Sequence, residues 1–216
     1  MLDIFPVPKS LNYTGGHHTK NANPILETTS ALQPEGYSLT IEPEQIRICG
    51  DKNGLRHGRD TLRQIQEQAG EGPLPCMEIR DEPSLRVRGF MLDISRCKVP
   101  TMETLRNLVL LLAKLRYNQL QLYTEHTFAF RDHETVWREA SPMTPEEVRE
   151  IDSLCIKHGI ELVPNFNSFG HFERWLRHEP YRHLAECPDG FEREEPRIVR
   201  DHGGTLRPDQ TTLDFL

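Results

Sequence analysis

The chain has 216 residues, of which 27% are charged and 36% are hydrophobic, and its formal net charge is −7. A chain of this length can hold one or two domains and bury a sizeable core. The acidic balance argues against a general nucleic-acid binder or a membrane-surface protein. No apolar run approaches the roughly 18 residues of a membrane-spanning helix. The opening MLDIFPVPKS lacks the basic and apolar regions of a secretory signal, so we expect a cytoplasmic protein.

The cysteines favour reduced thiols over a disulfide framework or a zinc site. They are Cys49, Cys76, Cys97, Cys155 and Cys187, an odd number without CxxC spacing. The sequence also lacks a glycine-rich phosphate loop and a Ser/His/Asp arrangement. We therefore predict no metal and no cofactor.

Residues 1–85 are predicted to form a small α+β domain in which one helix covers an antiparallel sheet. Residues 2–34 are rich in Pro, Asn, Thr, Gly and His, and His17 and His18 lie there without a predicted role. Alternation of apolar and polar residues predicts the later strands. The predicted elements are strand-like runs at 2–7 and 25–26, strands at 37–41 and 45–49, a turn at 53–54, a helix over 55–68 and a strand at 77–79.

Residues 86–216 are predicted to be α/β, because a strand, a helix and a second strand follow one another from residue 88. The run at 89–94 is apolar throughout, as in a strand that is buried on both faces. Thr101 can cap a helix whose apolar residues recur at three- and four-residue spacing. A second strand follows at 120–123. Two strands joined by such a helix should be parallel.

The next unit repeats the pattern. Thr144, Pro145 and Glu147 form a helix-start signature with a capping box. Gly159 should end this helix, and a third strand follows at 160–164. Residues 165–204 read as a long loop with a short helix around 171–177, and a further helix begins near Pro208. Because three such units do not close a sheet, we expect the domain to be incomplete in this chain.

Four residues could carry chemistry, and each also has a structural interpretation. Glu125 and His126 lie where the second strand meets its loop, which is the functional end of a parallel sheet, and could act as an acid–base pair or be a solvated loop pair. His171 follows the third strand at the same end. Arg88, at the start of the first strand, could contact a polar ligand or could pair with Asp81 or Glu82.

Two stretches of this sequence resemble glycoside hydrolase family 20, the β-N-acetylhexosaminidases. They are EGYSLTIEPEQIRICGDKNGLRHGRDTLRQI and IRDEPSLRVRGFMLDISR, and the second holds an Arg-Gly, a Leu-Asp and a Ser-Arg as the family does. The resemblance implies an N-terminal α+β domain at 1–85 and the first three βα units of a (β/α)8 TIM barrel at 86–216. It implies exo-acting hydrolysis of terminal N-acetylhexosamine from a glycan or glycoconjugate.

The resemblance also assigns roles to residues. Arg88 corresponds to an arginine that holds the O3 and O4 hydroxyls of the sugar, and His171 to a histidine that supports the acid network. The stretch LQLYTEHTFAF is closer to the hexosaminidase D-like branch and makes Glu125 a substrate-binding candidate. Asn165 and Asn167 stand where many members have carboxylates, so a relay there would differ.

The family's catalytic Asp-Glu pair ends the fourth strand, in a stretch resembling GGDE that this sequence does not contain. We therefore expect no catalytic acid within the chain and no hydrolysis by these residues alone. The first hypothesis is an exo-β-N-acetylhexosaminidase of which this chain is the N-terminal portion. The alternative is a non-catalytic sugar-binding protein or truncated remnant.

Overall fold

The computed structural model describes residues 2–19, 23–96 and 98–216, and it divides into two compact units. The first comprises Met1–Arg88 with Leu111–Tyr117, and the second comprises Gly89–Leu110 with Asn118–Leu216. The predicted domain boundary after residue 85 stays a prediction. Among the described residues, no helix combines the length and apolar character that crossing a membrane requires.

The first unit is a mixed sheet with one long helix. Its strands are β1 (Ser10–His18), β2 (Ile25–Thr28), β3 (Tyr37–Ile41), β4 (Ile46–Gly50) and β5 (Leu74–Asp81), and the helix is α1 (Lys52–Ala69). The strand order is β1-β5-β3-β4-β2, antiparallel except for the β2–β4 pair. Apolar residues of the central strands, such as Leu39 and Ile79, pack with Leu62 and Ile65 of α1 in one core.

Three predictions for this unit were wrong. Residues 2–7 form no strand, whereas β1, which was expected to be loop, pairs with β5 along its length. Asn53 and Gly54 lie inside α1 and not in a turn, because the Asp51 carboxylate caps the helix by accepting the Gly54 N–H at 2.7 Å. Gly54 fits there for a second reason: a Cβ on it would lie 2.0 Å from the carbonyl oxygen of Gly36.

The second unit is built on three parallel strands in the order β6-β7-β8. A 3₁₀ helix at Glu179–Leu184 lies between α5 and β9, and β9 and β10 form an antiparallel pair. The remaining elements of the chain are β6 (Gly89–Asp93), α2 (Met102–Lys114), β7 (Gln119–Thr124), α3 (Glu134–Trp137), α4 (Pro145–Lys157), β8 (Glu161–Phe166), α5 (Glu173–Leu176), β9 (Phe191–Arg193), β10 (Ile198–Arg200) and α6 (Gln210–Phe215). The end of α2, from Leu111 onward, belongs to the first unit.

The predicted α/β class and the local helix signals of this unit are confirmed. Thr144 and Glu147 form the reciprocal capping box of α4, and the Thr101 hydroxyl accepts the Thr104 N–H at the start of α2. The expectation that the first strand is buried on both faces was wrong. Met91 of β6 is 58% exposed because its face of the sheet is open to solvent. The β9–β10 pair within the expected loop at 165–204 was not predicted.

The free thiols among the described residues are Cys49, Cys76, Cys155 and Cys187. Cys97, the other thiol that we expected to be reduced, lies outside the described residues. Burial, with a smaller contribution from the charge of Asp152, raises the pKa of Cys155 to about 11, so its thiol stays protonated at neutral pH.

Candidate functional site

The carboxyl ends of the three parallel strands meet at one edge of the sheet. The register aligns Asp93 of β6 with Tyr123 of β7, and Tyr123 with Asn165 of β8. The residues that follow these strands therefore converge at the edge where parallel α/β sheets carry their ligand sites. Two predicted residues, Glu125 and His171, are brought together here, since the Glu125 Oε1 to His171 Nδ1 distance is 3.8 Å.

Glu125 is the centre of this group of side chains. Its carboxylate is only 9% exposed, accepts the Tyr123 hydroxyl hydrogen at 2.9 Å and pairs with Arg96 at 3.0 Å. The Tyr123 hydroxyl in turn accepts a hydrogen bond from the Asn167 amide. We predicted that a relay through Asn165 and Asn167 would differ from one made of carboxylates. In the structure, Asn167 is linked to Glu125 through the Tyr123 hydroxyl.

Arg96 joins the ends of all three strands, and the sequence analysis did not single it out as a site residue. Its guanidinium pairs with Asp93 and with Glu125, and its Nη2 lies 3.3 Å from His171 Nδ1. It also lies over the Tyr123 ring, with the guanidinium carbon 5.2 Å from the ring centroid. A signal was present in the sequence: Arg96 follows the first strand, at its functional end, whereas Arg88 precedes it.

The backbone of Glu125 is held from both sides. Its N–H donates to Ser95 Oγ at 2.7 Å, and its carbonyl oxygen accepts the indole N–H of Trp175 at 2.9 Å. Ser95 Oγ also lies 2.8 Å from Thr127 Oγ1, and all three partner side chains belong to residues that are at most 8% exposed. Buried contacts to the backbone of Glu125 thus hold its carboxylate at the edge of the sheet.

Electrostatics favour the ionised form of Asp93 and the neutral form of Tyr123. Burial alone would raise the pKa of Asp93, but hydrogen bonds from the Ser95 N–H and from Arg96 outweigh it and lower that pKa. Burial and the hydrogen bond to Glu125 raise the pKa of Tyr123. Hydrogen bonds to Asp93 and Tyr123 raise the pKa of Arg96, which therefore stays cationic. The group contains a fixed cation and an acceptor carboxylate.

His171 adopts a backbone conformation that is rare for a side-chain-bearing residue, with φ +56°. Such backbone strain concentrates at functional positions, where the surrounding structure holds it in place. Arg96 can only donate, so the Nδ1 atom of His171 accepts and the ring's proton lies on Nε2. This tautomer directs a donor away from Glu125.

His126 does not form the predicted acid–base pair with Glu125. It is 7% exposed, and its Nδ1 atom has no hydrogen-bond partner in the described part of the chain. Burial, followed by the positive charges of Arg174 and Arg177, lowers its pKa to about 4, so the imidazole is neutral. The imidazole beside Glu125 belongs to His171, because the loop turns the two adjacent side chains of Glu125 and His126 to different surroundings.

Arg88 is not part of this group of side chains. It precedes β6 and belongs to the first unit, where its guanidinium is 18% exposed and pairs with Glu35. Its Nε and Nη1 atoms donate to the carbonyl oxygens of Arg116 and Leu85, both at 2.7 Å. The contact of Arg88 with a sugar stays a prediction.

The neighbours of Arg88 form a buried polar network in the same unit. Asp81, which we considered as a partner of Arg88, pairs with Arg116. Arg116 also donates to Thr61 Oγ1 at 2.9 Å and to the Tyr37 hydroxyl at 3.3 Å. The structural interpretation of an arginine here is thus supported, with Glu35 as the paired acid of Arg88.

Among residues 2–19, 23–96 and 98–216, no three or more His, Cys, Asp or Glu side chains form a group that could hold a metal ion. Within the group, Glu125 lines a cavity of about 700 Å³, which Glu173, Arg200 and His202 also line. Its lining mixes carboxylates and cations, a composition that suits a polar ligand with many hydroxyl groups.

Comparison with known proteins gives one family. Residues 9–82 match the family model described as glycosyl hydrolase family 20, domain 2. A β-hexosaminidase of Akkermansia muciniphila is 27% identical over 161 residues, which cover 65% of this chain and 32% of that protein. The β-hexosaminidase subunit beta of Mus musculus is 28% identical over 158 residues, covering 68% and 29%.

Solved structures agree on the fold. A β-N-acetylhexosaminidase from Bacteroides fragilis superposes with a TM-score of 0.79 at 20% identity, over 98% of this chain and 52% of that one. A Streptomyces plicatus β-hexosaminidase gives 0.74 at 19% identity, over 98% and 54%. The chain thus spans about a third of the length of the curated relatives that it matches first, and about half of these solved chains.

Proposed function

We propose that the protein containing this chain is an exo-acting β-N-acetylhexosaminidase, because residues 9–82 match the model of glycosyl hydrolase family 20, domain 2, and similar proteins are β-hexosaminidases. Its substrate would be a glycan or glycoconjugate with a terminal, non-reducing N-acetylhexosamine. The printed names of the relatives support this substrate class. Within this proposal, β6, β7 and β8 are the first three strands of a (β/α)8 barrel, and the first unit contains its preceding α+β domain.

The observation that carries the proposal is the convergence of Arg96, Glu125 and His171 at the carboxyl edge of the three-stranded sheet. Arg96 would donate to hydroxyls of the terminal sugar, since a planar guanidinium can serve two neighbouring oxygens. Glu125 would hold Arg96 in place, and could accept a hydrogen bond from the sugar with its second oxygen. This role for Arg96 is proposed beside the contact of Arg88 with the sugar, which the resemblance implies and which stays a prediction.

The chemical step would be substrate-assisted. The oxygen of the sugar's own 2-acetamido group attacks C1 while the bond from C1 to the leaving-group oxygen breaks. An acid protonates the leaving-group oxygen. Water then opens the cyclic intermediate with retention. The Asp-Glu pair that the family uses for this step is not expected among residues 1–216, so these residues would bind and orient the sugar.

The test is hydrolysis of a chromogenic N-acetyl-β-glucosaminide by the natural full-length protein and by its Arg96→Gln variant. Loss of charge-assisted hydrogen bonds to a sugar should lower kcat/KM by about 10- to 100-fold. Arg149→Gln is the matched control, because Arg149 is also an arginine of the second unit but pairs on the surface with Glu146. Its kcat/KM should stay within about twofold, as expected for a surface pair.

Two results would count against the proposal. Equal activity of wild type and Arg96→Gln would remove Arg96 from sugar binding. Saturable binding of N-acetylglucosamine without any hydrolysis would favour the non-catalytic sugar-binding alternative. Residues 1–216 expressed alone should be inactive, and activity there would instead turn attention to Glu125 as the acid.

A further inference from the structure

Two arginines beside the candidate site form a positively charged surface in an acidic protein. Arg174 lies in α5 and Arg177 follows its last residue, so the two side chains are three positions apart and share a helix face. Both line the cavity that Glu125 borders, and both also line a second cavity of about 320 Å³. The whole chain carries a formal charge of −7, so this surface reverses the general balance.

Neither guanidinium is neutralised by the protein. Within the described part of the chain, no carboxylate oxygen lies within 4.0 Å of Arg174 or Arg177; Arg177 donates instead to His178 Nε2 at 3.3 Å. Other arginines nearby are paired: Arg200 contacts Glu173 at 2.9 Å and Arg96 contacts Glu125 at 3.0 Å. The nearby carboxylates of Glu125 and Glu173 thus pair with other arginines and not with Arg174 or Arg177.

The second cavity adds further groups suited to an anion. It is lined by His126 and Arg138 as well, and by one acid, Glu139, which makes no ion pair with Arg174 or Arg177. The His126 residue is only 7% exposed there, and its Nδ1 atom has no hydrogen-bond partner in the described part of the chain. An unsatisfied N–H costs more than an unsatisfied lone pair in such a place, so the ring's proton belongs on Nε2, as a donor. Burial, followed by the positive charges of the same two arginines, lowers the pKa of His126.

We propose that Arg174 and Arg177 form a binding site for a tetrahedral oxyanion, a sulfate or phosphate group, between the two cavities. Guanidinium groups suit this ligand because their planar forks donate to two oxygens at once. The anion reaches the site either as a free ion or as an ester group on a sugar that occupies the cavity beside Glu125. Only the second source rests on the proposed function.

The first measurement is calorimetric titration of the natural full-length protein with sodium sulfate, and with sodium phosphate, against sodium chloride at matched ionic strength. Wild type should show saturable binding at millimolar concentrations. Arg174→Gln and Arg177→Gln should each weaken it by about tenfold or more, as expected for a lost charge-assisted contact. Arg149→Gln removes the same charge from an exposed helix of the same unit and should leave binding unchanged.

Both arginines are exposed, so the variants should fold, and a thermal melt of each verifies this. Arg174→Lys keeps the positive charge but removes the planar guanidinium. Weaker sulfate binding by this variant than by wild type would support a contact in which the guanidinium donates to two oxygens of the anion. The proposal fails if wild type shows no heat beyond that of chloride, or if Arg149→Gln weakens binding as much as Arg174→Gln does.

A second measurement identifies the source. Kinetics with a chromogenic N-acetyl-β-glucosaminide and its 6-sulfate give kcat/KM for a neutral and an anionic sugar. If the ester is the ligand, Arg174→Gln lowers kcat/KM for the sulfated sugar by about tenfold and spares the neutral one. If the free ion is the ligand, the two substrates respond alike while sulfate titration still distinguishes the variants. A protein without hexosaminidase activity would leave the titration, and thus this proposal, unaffected.

Discussion

Replacing Trp175 with phenylalanine tests whether the buried contacts behind Glu125 matter for the site. The change removes the indole N–H that donates to the Glu125 carbonyl oxygen at 2.9 Å, and keeps an aromatic ring among its neighbours. Those neighbours include Phe130 and Tyr181, with ring centroids 5.1 and 5.4 Å away. The substitution therefore isolates one hydrogen bond and a modest loss of volume.

The expected loss of stability follows from the burial of Trp175. Trp175 is 5% exposed, so the carbonyl oxygen left without its donor is poorly placed to find water. An unsatisfied buried acceptor costs about 1–3 kcal/mol, and the smaller ring adds about 1 kcal/mol for the space it leaves. We expect the free energy of unfolding to fall by about 2–4 kcal/mol. If Glu125 then shifts by a fraction of an ångström, kcat/KM on a chromogenic N-acetyl-β-glucosaminide should fall by about tenfold.

The chain offers a matched control in its other tryptophan. Trp137 donates its indole N–H to the Phe130 carbonyl oxygen at 2.8 Å, the same kind of bond away from Glu125. Urea unfolding should show that Trp137→Phe is also destabilised, whereas its kcat/KM should match wild type. Equal losses of activity in both variants, at temperatures where both are folded, would refute the idea that Trp175 positions Glu125.

Two further predictions concern the first unit. Arg116→Met should lower the free energy of unfolding by about 3–5 kcal/mol in urea titrations, because it leaves the Asp81 carboxylate, 9% exposed, without its cation; adding Asp81→Leu should restore much of the loss, and no restoration would contradict the ion-pair account. Burial, then the charge of Arg116, lowers the folded-state pKa of His57 to about 4. The unfolded chain therefore binds the extra proton first, so stability is full above about pH 6.5 and falls towards pH 4. His57→Gln should flatten that decline by about 3 kcal/mol, and an unchanged slope would show that other groups cause it.

The elements that the sequence predicted correctly are those with local signals. The α4 start needs only Thr144, Pro145 and Glu147, which contact one another within a single turn. β1 was missed because its signal is non-local: its polar residues, such as Asn12 and Tyr13, form a strand only by pairing with β5, more than 60 residues away. Gln121 and Asn165 likewise meet through strand register, with 3.0 Å between the amide of Asn165 and Gln121 Oε1.

The site was predicted in part for the same reason. The proximity of Glu125 and His171 was predicted because each follows a strand, and parallel strands bring such positions together, whereas their roles stay predictions. His126 follows the same strand but turns into a separate cavity, and the direction of one side chain relative to the next in a loop cannot be read from spacing. The roles of Ser95 and Trp175 depend on tertiary contacts that no sequence pattern encodes.

Arg88 and Arg96, the two candidate sugar-binding arginines, differ in how far their side chains are exposed to solvent. Arg88 is 18% exposed, and its Nε, Nη1 and Nη2 atoms all donate to groups of the first unit. Arg96 is 48% exposed, and its Nη1 and Nη2 atoms make its contacts with Asp93, Glu125 and His171. A guanidinium has five N–H donors, so Arg96 can bind a sugar hydroxyl while Asp93 and Glu125 continue to hold it. An arginine fixed by two carboxylates and still open to solvent is preorganised for a ligand, because binding then costs little side-chain entropy.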